Sequence, residues 1–304
     1  IHGQLRDLLL LFHAFGNGLL SSKSEMKMKL VFNGDFVDRG AHQLAVVGIL
    51  FALKVAFPND VFLVRGNHEE KAMNEKYGFH KECMDHMGKS WGKKVFQLVQ
   101  GTFNNLPLAC LIGRRVLCVH GGIGDGKWSL QDLLQVRRPL NEERLNADEN
   151  RWIYGLLWSD PIEDSKNGKD GSHGVFGVHP SPRGKLATKF GWNVTKTFCA
   201  RNGLSLIIRS HQSKQNGVGF EVMHENLLMR VFSARDYEGH GNDGGVLLIK
   251  NAATSKDAKH LSVRAQVLRS ATKAQREDAR RKKSEAPPAA ATRRKLTTEN
   301  LKRP

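Results

Sequence analysis

Asp35, Asn67, His120 and His211 bring one carboxylate, one amide oxygen and two imidazoles to separate points of a 304-residue chain. That donor set suits octahedral Mn, Fe or Zn better than a structural thiolate site. Hydrolysis of a phosphoester by two metals needs a bridging carboxylate, further N/O ligands and cations that hold the phosphate. Asp35 is the natural bridging group, and His2 offers an imidazole for a first metal. Arg39, directly after Asp38, carries a guanidinium able to grip phosphate oxygens in bidentate fashion. His68, directly after Asn67, is placed to protonate a leaving alkoxide, with Asp38 as the carboxylate that keeps it protonated and oriented. Each residue alone has an ordinary explanation as a surface or hydrogen-bonded group; it is their combination that points to a metallohydrolase.

The elements that must position these groups are short apolar runs. Leu30-Val31-Phe32 leads into GDFVDRG (34–40), and Val61-Phe62-Leu63-Val64 into RGNHE (65–69). Val116-Leu117-Cys118-Val119 leads into HGG (120–122), and Leu206-Ile207-Ile208 into RSHQ (209–212). Such runs read as buried strands, whose ends line one rim of a sheet where ligands gather in α/β proteins. Residues 41–56 predict a buried helix and Pro58-Asn59-Asp60 a turn, giving a strand–helix–strand unit suited to a parallel pair. Residues 69–99 predict two or three helices broken at Gly78, Gly88 and Gly92, and residues 104–119 a strand pair around Gly113. A short helix is expected over 130–138, a long functional loop over 164–182 and a helix over 188–202. A hairpin follows at 220–232, a last strand at 245–250 and a basic helix at 261–283.

Composition bounds the rest. With 40% hydrophobic residues the chain can bury a substantial core. It lacks the run of about 18 apolar residues that a membrane span needs, and its opening Ile1-His2-Gly3 is unlike a signal peptide. Cys83, Cys110, Cys118 and Cys199 are scattered without CxxC pairing, which fits a reducing compartment, cytoplasm or nucleus. Of the net charge of +17, residues 254–304 carry +10, with 15 Lys and Arg against five acids. Basicity therefore belongs mostly to the tail and does not mark the main domain as a nucleic-acid binder.

In chain order, IHGQ, GDFVDRG, GNHE, HGG, WSDP (158–161), PRG (182–184), RSHQ and SARDY (233–237) resemble the motifs of the PPP family of serine/threonine protein phosphatases, across residues 1–249. FNGDFVDRG, MNEKYGF and VFSARDYEGHGNDG look closest to the branch whose members carry calcium-binding EF-hands. The resemblance implies an α/β metallophosphoesterase sandwich of two mixed sheets flanked by helices, with a di-metal site at the strand ends. It places a catalytic domain over 1–253 and a basic, disordered or partly helical tail over 254–304. It also implies hydrolysis of phosphoserine and phosphothreonine in proteins by direct attack of a metal-bridging hydroxide, with two divalent ions of the Mn, Fe or Zn type.

Carried over residue by residue, the resemblance makes His2 and Asp35 ligands of the first metal, and Asp35, Asn67, His120 and His211 ligands of the second. Arg39 and Arg183 resemble the phosphate clamp, with Asn67 also touching substrate. His68 paired with Asp38 resembles the general acid, and Tyr237 the residue overhanging the site. Trp158, Met73 and Tyr77 match positions lining a substrate groove.

The chain departs from the family pattern at four points. It begins at the third residue of the GDxHG motif, so the Asp that ligates the first metal is expected upstream of an N-terminally truncated catalytic domain. His80 stands where relatives carry an aromatic residue, the 164–182 loop is long, and no EF-hand calcium loop is present. A small-molecule metallophosphoesterase acting on dinucleoside polyphosphates would share the metal motifs, but WSDP and SARDY favour the protein phosphatase. The third alternative is an inactive phosphatase-like interaction module. The tail's basic clusters at 280–283 and 293–295 suit nuclear import or an acidic partner, the helix expected over 261–283 a calmodulin-like partner, and Thr297 a basophilic kinase.

Overall fold

Helix α1 (Leu5–Leu19) leads to strand β1 (Leu30–Asn33), helix α2 (Gln43–Ala56) and strand β2 (Val61–Val64) in the computed structural model, which describes residues 1–19, 28–163, 175–184, 186–251 and 261–285. β1 and β2 pair in parallel, Leu30 opposite Val61 and Asn33 opposite Val64, so their C-terminal ends share one rim. α3 (Lys71–Tyr77) and α4 (Phe79–Phe103) follow, separated by Gly78, and Gly88 interrupts α4 with φ 71°. Gly92 lies inside α4 and breaks nothing, contrary to the expectation from sequence. Leu8, Val46, Leu50, Val61, Leu63, Phe79 and Phe103 close a core between β1–β2 and these helices. Each such side chain contributes roughly 1.5–3 kcal/mol by leaving water.

β3 (Ala109–Ile112) and β4 (Val116–Val119) form the expected antiparallel pair. Next come α5 (Leu130–Gln135), α6 (Glu142–Leu145), α7 (Arg151–Trp158) and β5 (Asp160–Pro161). β6 (Val178–Pro180), β7 (Thr188–Phe190), α8 (Trp192–Asn202) and β8 (Leu206–Arg209) complete the middle of the chain. β9 (Phe220–Met223), β10 (Leu228–Val231), β11 (Gly244–Asn251), β12 (Leu261–Leu268) and α9 (Ala271–Glu285) finish it.

The largest sheet has the order β3-β4-β8-β10-β9, with β4, β8 and β10 parallel and both edges antiparallel. Alternation sends Leu117, Val119 and Ile207 to a helical layer with Leu156 and Phe198, and Val116, Cys118, Leu206 and Ile208 to the opposite face. There Leu247, Ile249, Leu261 and Val263 of the β11–β12 hairpin pack on them, so β4 and β8 are buried on both sides. This is the sandwich of mixed sheets and flanking helices, with β1 joined to it through Asn33, whose side-chain N–H donates to the Val119 carbonyl at 2.7 Å.

Three expectations need correction. Residues 188–202 are not one helix: Thr188–Phe190 pairs with β5 and β6, and extended Gly191 caps α8. A β-branched residue and an aromatic before a glycine favour that strand. Residues 261–283 are not one helix either. Leu261, Val263 and Ala265 alternate with Ser262, Arg264 and Gln266, a period of two that forms strand β12 across from β11, and only then does α9 begin. The boundary placed at 253/254 therefore cuts a hairpin rather than separating a domain from a tail. Of the 164–182 loop, residues 164–174 lie outside the described residues, and Val178–Pro180 is a strand. The linker at 286–291, the cluster at 293–295 and Thr297 also lie outside them. Among the described residues no helix is long and apolar enough to cross a membrane.

Candidate active site

Two glycines let the ends of β1 and β2 meet. Gly34 has φ 82°, and a Cβ there would lie 2.5 Å from Gly66 Cα and 2.6 Å from His120 Nδ1. A Cβ on Gly66 would lie 2.5 Å from Asp35 Oδ1. Glu69, wholly buried, straps the two loops: its carboxylate accepts from the N–H groups of Asp35 (2.7 Å), Phe36 (2.8 Å) and Gly66 (2.8 Å). Burial, with the Asp35 charge beside it, pushes the Glu69 carboxyl up. Five candidate residues, His2, Asp35, Asp38, Arg39 and His211, hold left-handed φ between 48° and 74°. Such backbone is disfavoured for non-glycine residues and persists where surrounding structure enforces it.

Asp35 is the hub. Its Oδ2 lies 3.3 Å from His2 Nε2 and 3.2 Å from His120 Nε2, while Oδ1 accepts the His68 backbone N–H at 3.1 Å. Burial opposes its ionisation, but the imidazoles of His120, His68 and His2 outweigh that and hold its carboxyl well below the usual range. The imidazoles of His2 and His120 turn their Nε2 atoms towards it. His2 Nδ1 faces the Val37 carbonyl at 3.1 Å and His120 Nδ1 the Asn33 carbonyl at 2.7 Å. A carbonyl oxygen can only accept, so each Nδ1 carries a hydrogen and each ring presents its Nε2 to Asp35. Burial pulls His2 down to about 4, against the opposing charge of Asp35, so its ring is neutral at pH 7. His120 Nε2 also sits 3.0 Å from Asn67 Oδ1. His211 Nε2 is buried without a hydrogen-bond partner, and burial, His120, Arg183 and Arg209 hold its ring well below its usual pKa. Ligand atoms of His2, Asp35 and His68 lie within 4.8 Å of one another, as do those of Asp35, His120 and His211.

Acceptors facing acceptors repel unless a cation lies between them. Buried imidazole lone pairs, an amide oxygen and a shared carboxylate therefore fit a pair of divalent ions with N/O preference. The outward Nδ1–H bonds to carbonyls are the supporting bonds that fix metal-ligating histidines.

Beside this hub, His68 Nδ1 lies 2.7 Å from Oδ2 of wholly buried Asp38. Burial works against the His68 imidazolium, but Asp35 and Asp38 prevail and its pKa is raised. Asp38 is further held by Asn74 Nδ2 (2.9 Å) and Phe79 N (3.2 Å), and Gln100 Nε2 in turn donates to Asn74 Oδ1 at 2.6 Å. Arg39 stacks 3.9 Å over the Tyr77 ring and donates from Nη1 to Glu238 Oε1 at 2.6 Å. Arg183 Nε donates to Asp160 Oδ2 at 2.5 Å, while buried Arg209 holds the other Asp160 oxygen at 2.8 Å. The Tyr237 ring stands 4.7 Å from that of His2, its hydroxyl pKa raised by burial and the nearby Glu238 charge.

All the metal-ligand candidates converge on Asp35, with the His68–Asp38 pair alongside. Arg39 and Arg183 are positioned by separate partners, Tyr77 and Asp160. Trp158 lies edge-on to His211 at 5.6 Å, and Met73 is half-buried on α3. Sequence reasoning gave no role to Glu69, Asn74, Asp160 or Arg209, although each sits in a motif it singled out; Gln100 carried no signal.

The chain matches the calcineurin-like phosphoesterase family over residues 1–215. It is 35% identical over 249 residues to serine/threonine-protein phosphatase BSL2 of Arabidopsis thaliana, covering 82% of this chain and 23% of that protein. It is 36% identical over 281 residues to serine/threonine-protein phosphatase rdgC of Drosophila melanogaster, covering 88% and 39%. The chain thus spans less than half the length of these relatives. Among solved structures, a protein serine/threonine phosphatase from Saccharomyces cerevisiae with similarity to human phosphatase PP5 superposes with TM-score 0.70 at 33% identity, covering 88% of this chain and 77% of that one. A cold-active protein tyrosine phosphatase, at 17% identity and TM-score 0.55, shares the fold.

Proposed function

The chain belongs to the calcineurin-like phosphoesterase family, on its serine/threonine protein phosphatase branch, and we propose that it hydrolyses phosphoserine and phosphothreonine in proteins. The observation that carries this reading is the convergence of His2, His120, Asn67 and the unpartnered His211 Nε2 around Asp35. The family implies a dinuclear divalent site. His2 and Asp35 would hold one ion, and Asp35, Asn67, His120 and His211 the other, both of the Mn, Fe or Zn type. When bound, the ions supply Lewis acidity and positive charge.

The chain's own residues do the rest. Arg39 and Arg183 bind the phosphoryl oxygens and orient the group for in-line displacement. Asn67 directs its amide N–H to the same oxygens. His68 holds a proton on Nε2 and gives it to the departing serine or threonine oxygen, while Asp38 keeps that proton available through Nδ1. Asn74 and Phe79 fix Asp38 in turn. Tyr237, packed on His2, closes one side of the site to water.

Phosphoproteins are the partners in this reading. The basic run at 280–283 falls on α9, so an acidic or calmodulin-like partner would meet it as a helix. Four free cysteines suit the cytoplasm or nucleus. The reading is tested by Mn²⁺-dependent turnover of a phosphoserine peptide beside p-nitrophenyl phosphate and a dinucleoside polyphosphate. Release of phosphate from the peptide supports it; turnover confined to the dinucleotide would replace it with the small-molecule alternative.

A further inference from the structure

Glu238 is a carboxylate that the proposed chemistry does not call for, yet it occupies a phosphate-binding cation. Its Oε1 accepts from Arg39 Nη1 at 2.6 Å. Tyr77, stacked under the guanidinium at 3.9 Å, keeps Arg39 from swinging away, so the two charges meet at the phosphate-binding end of the site. The loop is built to hold Glu238 there. Asp236 and Glu238 both adopt left-handed backbone, φ 49° and 47°, which is disfavoured for residues with a side chain. The cost is offset by a hydrogen-bonded frame. Asp236 accepts from the Ser270 hydroxyl and from the N–H groups of Ala271 (2.9 Å) and Thr272 (3.4 Å). Asn242 accepts the Tyr237 N–H at 2.9 Å and donates to the Ala234 carbonyl at 2.7 Å.

A phosphorylated side chain carries a charge of roughly −1.5 to −2 at pH 7 and takes a guanidinium in bidentate fashion, so it displaces the carboxylate from Arg39. The freed Glu238, whose side chain is 40% exposed, then lies beside a dianion. A cation on the substrate relieves that repulsion, and an acidic neighbour aggravates it. Resting on the protein phosphatase reading, we propose that Glu238 is a specificity-determining residue. It selects phosphopeptides with Lys or Arg within about two residues of the phosphorylated one, the reach of roughly 7 Å of extended chain.

The test uses two phosphoserine peptides that differ only in carrying arginine or alanine at both positions on each side of the phosphoserine. Turnover (kcat/KM) is measured at low salt with the Mn²⁺-loaded protein carrying whatever residues the gene places ahead of Ile1, and calorimetric affinity with phosphonate versions that cannot be hydrolysed. Wild type is expected to favour the arginine peptide about 2- to 5-fold in both readouts, the scale of a partly exposed ion pair. Glu238→Gln should remove the preference and tighten binding of inorganic phosphate by freeing Arg39, and Glu238→Lys should invert it. Equal treatment of the two peptides by wild type, or a preference that survives in both variants, overturns the assignment while leaving the phosphatase reading intact. Failure of wild type to bind or hydrolyse either peptide would bring down both.

Discussion

A proton and a metal make opposite demands on neighbouring histidines, and single hydrogen bonds decide which is met. His2 and His120 give their Nδ1 hydrogens to carbonyls and present Nε2 to Asp35; His68 gives its Nδ1 hydrogen to Asp38 and is pushed towards the imidazolium. His68→Gln should therefore lower turnover of a phosphoserine peptide by about 10²–10⁴, with metal content unchanged by atomic absorption; loss of metal would make His68 a ligand instead. These residues were legible in the sequence because their types are chemically distinctive and end apolar runs. Glu69, Asn74 and Gln100 were not, because they act on other protein groups: a carboxylate that straps two loops looks, in sequence, like any acidic residue.

Elements bring these residues together by closeness of backbone as much as by strand register. Gly66→Ala would drive a methyl group into Asp35, so it should lower stability by about 1–3 kcal/mol, as overpacking does, and weaken Mn²⁺ binding in calorimetry. Unchanged affinity would show that the β1 and β2 ends tolerate separation. The four strands ending at the site were readable from continuous apolar runs, most of all β4 and β8, which are buried on both faces. β12 was not, because Arg264 and Lys259 set the period-two alternation of Leu261, Val263 and Ala265 in a charged stretch that reads as a tail. Truncation after Asn251 should accordingly destabilise the protein by at least ~2 kcal/mol, since it uncovers Val116, Cys118 and Ile208. An unaltered denaturation midpoint would mean that the hairpin adds nothing to the core.

Across the whole molecule, the helix-packed core and the hairpin-packed core meet back to back on β4 and β8; Cys199 lies in the first, Cys110 and Cys118 in the second, and Cys83 in the core beside β1 and β2. Burial pushes Cys83 and Cys199 up to about 11 and raises Cys118 further. A thiol raised in the folded state favours folding below its unfolded value of 9 and loses that contribution as pH climbs. Stability should therefore fall between pH 9 and 11, and labelling of these thiols at pH 8 should be slow until denaturant is added; rapid labelling of the native protein would contradict the packing. The two-layer design also explains why one carboxylate matters so much: Asp35 is where the β1–β2 unit meets His120 and His211 from the large sheet. The decisive measurement is Mn²⁺-dependent phosphate release from a phosphoserine peptide, with bound Mn²⁺ counted in parallel. It compares wild type with Asp35→Asn, both carrying whatever residues the gene places ahead of Ile1. Wild type is predicted to turn over and the variant to lose both bound metal and, by an order-of-magnitude estimate, at least ~10³-fold in rate; a variant that keeps full activity would contradict a metal centre built on Asp35.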